Sequence, residues 1–393
     1  ILLGETVPAG DLYPAMGVGL GVVLVGIILE TRRLWSSSPV AMPSIFSLVI
    51  PLLGGMVPVL AMAVVGATRP AFFKFLVVAV PFFGLLIALG LVAGGEVVGR
   101  WSRRRPLWRV PAYGLWGLVV LALLAASGRS LSNLYANPQF ARADYRGIAA
   151  QIAAENQPNA GIILNAANQW EVFTYYYPDE DQVYPLPAGR PDPARIAAEL
   201  EEITASHDRL YALFWGEAER DPQRLVERWL DDHAFKAREE WVGDVRFVTY
   251  EVPDGATAAP QTPAGEQFGA HITLESYAVS PELVQPGDIV QVMLFWQTDA
   301  PLETRYKVFL HLLDEQGNIV AQRDSEPGGG LALTTTWPAG ETIPDKHGLL
   351  IPPETPPGRY TLILGLYDLA DPTSRLLTAT GSDFLRLKTI TVQ

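Results

Sequence analysis

Four long apolar runs open the chain: Leu12–Leu29, Ile45–Val65, Phe75–Gly95 and Val110–Ser127. Each holds about 17 residues or more with at most one charge, enough for a helix to cross roughly 30 Å of hydrocarbon at 1.5 Å per residue. In lipid the backbone must satisfy its own hydrogen bonds, so runs of this length predict helices. Pro51 and Pro58 fall in the second run and Pro81 in the third. Such residues are tolerated where neighbouring helices cover the freed carbonyls, so the four helices are expected to pack as a transmembrane bundle over residues 1–139.

The texture then changes twice. Residues 140–252 alternate helical and strand patterns. Ala143–Asn156 has helical spacing, and Gly161–Asn165 reads as a buried strand. Trp170–Tyr177 and Val183–Leu186 read as a short helix and a short strand. A helix capped by Asp192, with Pro193 in its first turn, runs to about Ser206. Strand Arg209–Trp215 follows, then a helix opened by Asp221 and Pro222 and ending near His233. Strands Ala237–Trp241 and Arg246–Val252 close the region, which predicts a small three-layer α/β domain. Residues 253–266 read as a linker. Residues 267–393 carry strand signals only, at Ile272–Val279, Ile289–Gln297, Tyr306–Leu313, Ile319–Arg323, Tyr360–Asp368 and Phe384–Val392. Short alternating strands separated by turns such as Pro286-Gly287-Asp288 predict an antiparallel β-sandwich of the Ig-like or carbohydrate-binding-like kind.

Charge sharpens the division. The 393 residues carry a net charge of -13. Residues 1–139 hold ten Lys/Arg and four Asp/Glu, a net of +6; of the totals 29 and 42, that leaves 19 and 38 for the rest, a net of -19. The pattern is that of a membrane protein with an acidic soluble half. Arg32, Arg33, Arg100, Arg103, Arg104, Arg105 and Arg109 lie in loops on one side of the expected membrane, and Arg69 and Lys74 on the other. The excess of basic residues marks the first side as cytoplasmic, which sends everything after Arg129 outside. With no cysteine, a disulfide scaffold, a thiolate zinc site, an iron–sulfur cluster and a cysteine nucleophile are all excluded. No cofactor, metal or nucleic-acid partner is expected.

Chemistry-bearing residues are sparse. The five histidines, 207, 233, 271, 311 and 347, are scattered, without zinc spacing and without an evident Ser/His/Asp set. Asp179-Glu180-Asp181 reads as a solvated turn and Gly328-Gly329-Gly330 as a flexible hairpin tip. Arg69 and Lys74 admit two readings: a clamp on a lipid-linked phosphate, or snorkelling to lipid headgroups. Trp296, Trp337 and Tyr367, with Tyr306, could form a sugar-stacking platform or belong to the sandwich core. Tyr175-Tyr176-Tyr177 with Asn168 and Gln169 could face a membrane active site or form a packed helix.

The stretch RPAFFKFLVVAVPFFGLLIALGL (Arg69–Leu91) and the later ADYRGIAAQIAAENQPNAGIILNAANQWEVFTYYY (Ala143–Tyr177) carry a resemblance. Residues 1 to about 252 resemble the C-terminal half of bacterial integral-membrane glycosyltransferases of the class C fold. These are relatives of protein O-mannosyltransferases and of the lipid A aminoarabinose transferase. The sandwich, with FWQT, FLHLLD and PGRYTLILGLYD, is similar to an accessory domain appended to such enzymes in filamentous green bacteria. The resemblance implies a polyprenyl-phosphate-linked sugar donor and transfer to a glycan or glycolipid acceptor on the outer face of a bacterial plasma membrane. It also implies donor-phosphate contacts at Arg69 and Lys74. The sequence departs from the family pattern here: Lys74-Phe75 stands at an Arg-Tyr pair, and Val78 at a proline. The family's catalytic carboxylate sits in a first outer loop that has no counterpart here, and the chain starts at Ile1 with no basic segment. It therefore reads as the C-terminal portion of such an enzyme, inactive alone and with no catalytic residue assigned. The rival reading is a non-catalytic membrane anchor displaying a glycan- or protein-binding sandwich.

Overall fold

The computed structural model describes residues 9–36, 42–66, 70–137, 143–253 and 261–393. It divides into two compact units, 1–141 and 142–393.

In the first unit every apolar run is helical. The helices are α1 (Ala9–Ser36), α2 (Met42–Val65), α3 (Val80–Arg104) and α4 (Arg109–Ala136). Three stretches, Leu48–Val65, Phe75–Arg104 and Pro106–Ala136, are long and apolar enough to cross a membrane, which marks the chain as a membrane protein. The third expected helix is corrected at its start, because Pro70–Ala79 forms 3₁₀ turns and the α-helix begins only at Val80. Pro81 has no N–H to bond four residues back, so regular α-geometry starts with it in the first turn. Small residues let the helices approach closely. A Cβ on Gly26 of α1 would stand 2.7 Å from Gly90 Cα on α3, and one on Gly90 would run into the Val22 carbonyl. Trp116 of α4 lies against Gly94 of α3 in the same way.

The second unit opens with α5 (Tyr145–Glu155), whose cap Asp144 accepts the Gly147 amide at 2.9 Å. Asn156 ends it in the left-handed region at φ 45°. Next come β1 (Ala160–Leu164), α6 (Trp170–Tyr176), β2 (Val183–Pro185), α7 (Pro193–Ser206) and β3 (Arg209–Phe214). Asp192 caps α7, accepting the Arg195 amide at 2.9 Å. Then α8 (Glu217–Arg220), α9 (Leu225–His233), β4 (Phe235–Val242) and β5 (Val245–Glu251) complete a sheet ordered β2-β1-β3-β5-β4. The first three strands are parallel, while β5 and β4 run antiparallel. Helices α5 and α6 cover one face through Ile148, Ile152 and Phe173, and α7 and α9 cover the other through Leu200, Val226 and Leu230. The three-layer expectation matches this arrangement.

The sandwich has nine strands: β6 (Thr262–Phe268), β7 (Ile272–Ser280), β8 (Leu283–Val284), β9 (Ile289–Thr298), β10 (Tyr306–Leu313), β11 (Ile319–Ser325), β12 (Ile343–Leu350), β13 (Gly358–Asp368) and β14 (Leu385–Val392). Its sheets are β12-β9-β7-β6 and β11-β10-β13-β14-β8, antiparallel except for the β14–β8 pair. Leu274, Trp296, Leu310, Leu364 and Ile390 fill the space between them. The expected linker 253–266 is corrected at its end, because residues 262–266 already belong to β6; residues 254–260 lie outside the described ones. Pro263 and Gly265 hid this strand. They sit at an irregularity in the β6–β7 pairing, where Gly265 has φ +62°.

The α/β part and the sandwich belong to one unit. Gly348 of β12 lies so close to β4 that a Cβ there would stand 2.8 Å from that of Ala237. The Arg209 guanidinium donates to the Gly287 carbonyl at 3.0 Å, and the Lys346 ammonium to the Asp232 carbonyl. The expected flexible glycine tip is instead a packed turn: Gly328 and Gly329 have φ +60° and +63°, and a Cβ on Gly329 would stand 2.7 Å from an Asp231 carboxylate oxygen.

Candidate functional site

The connections from β1 and β3 leave the sheet on opposite faces, β1 toward α6 and β3 toward α8 and α9. In sheets of this kind the carboxyl ends of such neighbouring strands form a crevice suited to ligands, but the cleft present here lies on the other side of β3, over β5 and β4, with no lining residue from β1. At the end of β3 the structure has an open cleft of about 510 Å³. Glu217, Ala218, Asp221, Pro222 and Arg224 form one wall, Glu239 and Trp241 of β4 the other, and Arg246 of β5 the floor. Register explains the convergence, since Trp241 pairs with Arg246 across the β4–β5 ladder and so lies on the same face. Asp221 sets the opposite wall by accepting the amides of Leu225 and Val226 at 2.9 and 3.0 Å, three residues later than the expected helix start. Trp241 is 67% exposed.

Beneath the cleft lies a buried ionic chain. Arg246 forms a fork with Glu227, two bonds of 2.6 Å, and also reaches Glu217 at 2.9 Å and Glu239 at 3.1 Å. Its guanidinium sits 4.6 Å above the Phe214 ring. Glu227 further accepts from Arg224 and, at 2.9 Å, from Lys236, which pairs with Asp231 at 2.9 Å. Tyr250 donates to Asp231 at 2.9 Å. Burial alone would raise the Glu227 carboxyl, but hydrogen bonds and charges from Arg246 and Lys236 outweigh it and hold the group well below its ordinary value.

Asp231 behaves in the opposite way. Burial pushes its carboxyl up to about 6, only partly opposed by Lys236 and reinforced by the charge of Glu227. The folded state therefore binds this proton more tightly than the unfolded chain does. The resulting stabilisation is complete below about pH 4 and is lost as pH rises through about 6. Asp231→Asn cannot titrate, so wild type should lose stability relative to the variant between pH 4 and 7 when urea midpoints are compared. A constant difference across that window would show that Asp231 does not titrate there.

The residues singled out from sequence fall elsewhere. Arg69 and the side chain of Lys74 lie outside the described residues; the Lys74 backbone belongs to the 3₁₀ segment. Trp296 is fully buried, its indole donating to Asp345 at 3.1 Å and its ring stacked on Trp337. Trp337 is 5% exposed and donates to the Ala332 carbonyl at 2.9 Å. Both are core residues, so of the two readings the core one holds for them and the sugar-stacking platform does not. Tyr367 is half-buried on the outer face of the other sheet, over Phe309, with its hydroxyl bonded to Asp324 at 3.2 Å. Burial first, then Asp324, pushes that phenol up to about 12. Gln169 is buried, accepting the Ala166 amide and donating to Tyr145, whereas Tyr175 and Tyr176 sit at the far end of α6.

One constellation that sequence spacing concealed joins His347, 3.2 Å from Ser325 Oγ, to Asp345 at 2.7 Å. His347 is 1% exposed, and Asp345 also accepts from Trp296 and from the Gly328 amide. Those bonds tie β12 to the glycine turn. The signal for the cleft's ionic chain was available but faint. Glu227 and Asp231 each follow an apolar residue of α9, Val226 and Leu230, so they share its inner face.

No protein-family profile matches the chain, and no characterised protein matches it in sequence. Among solved structures, a calcium-binding mutant of a Bacteroides uniformis β-glucuronidase aligns at 11% identity and TM-score 0.21, over 37% of this chain and 15% of that one. A Pseudomonas fluorescens alkylpurine DNA glycosylase bound to DNA aligns at 12% and 0.20, over 83% and 82%. An Escherichia coli α-2-macroglobulin fragment aligns at 13% and 0.13, over 80% and 54%. Likenesses this low define neither a shared fold nor an activity.

Proposed function

We propose that the chain is the C-terminal part of a polyprenyl-phosphate-sugar-dependent glycosyltransferase of a bacterial plasma membrane, acting on its outer face. The supporting observation is that two membrane-length stretches, Leu48–Val65 and Phe75–Arg104, bracket the short segment bearing Arg69 and Lys74. Two cations at the margin of apolar helices suit a phosphate carried on a lipid. In transfer they would stabilise the charge on the departing phosphate, Arg by a fork and Lys as a point charge. In this reading α1 is a fourth span, the other loop arginines face the cytoplasm, and an acceptor glycan meets the sugar outside. The carboxylate base that the acceptor hydroxyl requires is assigned to no residue of this chain.

The test is equilibrium binding of a fluorescent polyprenyl phosphate to the chain in nanodiscs. Joint replacement Arg69→Ala and Lys74→Ala removes two charge-assisted contacts and is expected to weaken binding at least about tenfold. Equal affinity in variant and wild type would count against the transferase and favour the membrane anchor.

A further inference from the structure

We infer that the cleft between α8 and the end of β4 is a binding site for an uncharged, hydroxyl-rich ligand, a neutral saccharide, stacked on Trp241. The cleft combines three things. It is large enough for one or two sugar rings, at about 510 Å³. One wall carries an indole that is 67% exposed, giving an apolar face for the C–H side of a ring. The remaining surface offers both acceptors and donors, with Glu217 and Glu239 at the rim and Arg224 between them and the floor.

Charge decides the class of ligand. The Arg246 guanidinium bonds Glu217, Glu227 and Glu239, and Arg224 bonds Glu227. An incoming anion would meet two rim carboxylates while the strongest donors are already engaged. An incoming cation would meet Arg224 and Arg246 and find the carboxylates already paired. A hydroxyl both donates and accepts, so it can bond a spare carboxylate lone pair or a guanidinium N–H without displacing either partner. The floor is also fixed in advance: Arg246 is buried, stacked on Phe214 and forked to Glu227, so little ordering is left to be done on binding.

The inference rests on the cleft alone and does not depend on the donor-phosphate reading. Saccharide binding without polyprenyl-phosphate binding would keep it and remove the other. The experiment uses the full chain in detergent on an array of neutral oligosaccharides, with chitosan oligomers and oligogalacturonate as charged probes. The expected result is retention on at least one neutral glycan, reduced at least tenfold in Trp241→Ala and several-fold in Glu217→Gln, with no competition from the charged probes. Failure to retain any neutral glycan, or retention unchanged in Trp241→Ala, overturns the proposal. Trp241 faces solvent whereas Glu217 is partly buried against Arg246, so an unaltered urea midpoint in Trp241→Ala separates lost binding from lost folding.

Discussion

Replacing Glu227 with alanine is expected to destabilise the second unit by about 3–5 kcal/mol, the usual consequence of removing one member of a buried ionic group. Glu227 is fully buried and is shared by Arg246, Lys236 and Arg224. Its loss strands two cations that are 7% and 3% exposed, and neither can turn to water without opening the packing between α9 and the sheet. Arg246 would keep Glu217 and Glu239 at the cleft rim and Lys236 would keep Asp231, but none of these replaces the buried fork. Urea unfolding of the full chain, followed by tryptophan fluorescence, measures the change. Arg195→Ala is the control: Arg195 pairs with Glu199 at 2.8 Å but is 66% exposed, so its removal should leave the unfolding midpoint nearly unchanged. Similar losses in the two variants would mean that the buried chain contributes nothing special.

Trp296→Ala is expected to cost about 3–5 kcal/mol in the sandwich. The indole lies between the two sheets, edge-on to Phe268 and stacked on Trp337, so truncation leaves a cavity that the backbone cannot fill. It also removes one donor from Asp345, a carboxylate that burial would raise and that His347, the Gly328 amide and Trp296 together hold below its ordinary value. The loss should appear as a lower unfolding midpoint whether or not any glycan is present. A variant as stable as wild type that fails only in glycan binding would restore the stacking role and contradict the buried position.

Much of the architecture was written in local chemistry. Apolar length alone marks α2 and α4, and Asp192-Pro193 announces α7, because capping acts within one turn. Trp296 could have been placed inside from sequence: Val290, Val292 and Leu294 share its parity along β9, and all are buried. Other features depended on distant partners. Strand β12 contains Pro344, Asp345, Lys346 and Gly348, residues that disfavour strands, and it holds because Asp345 and His347 find partners in the core and Gly348 meets Ala237. The cleft was hidden for the same reason. Trp241 and Arg246 pair across the tight turn at Gly243-Asp244, but Glu217 reaches them only through the β3–β5 pairing of Phe214 with Arg246, which no short window of sequence encodes.

The meeting of β4 with β12 has a consequence for how the protein can crowd on a membrane. A bare strand margin offers unpaired amides and carbonyls to any neighbouring chain, and such margins seed aggregation. Here β4, the outermost strand of the α/β sheet, and β12, the outermost strand of one sandwich sheet, shield each other. Three of the other margins recruit poorly: β2 has three residues and ends in Pro185, β8 has two, and β6 is broken near Pro263, which leaves β11 (Ile319–Ser325) as the remaining one. Separating the two lobes would uncover an eight-residue strand on each. The close fit of Gly348 on Ala237 thus withdraws the two eight-residue strands from pairing between molecules held side by side at one surface.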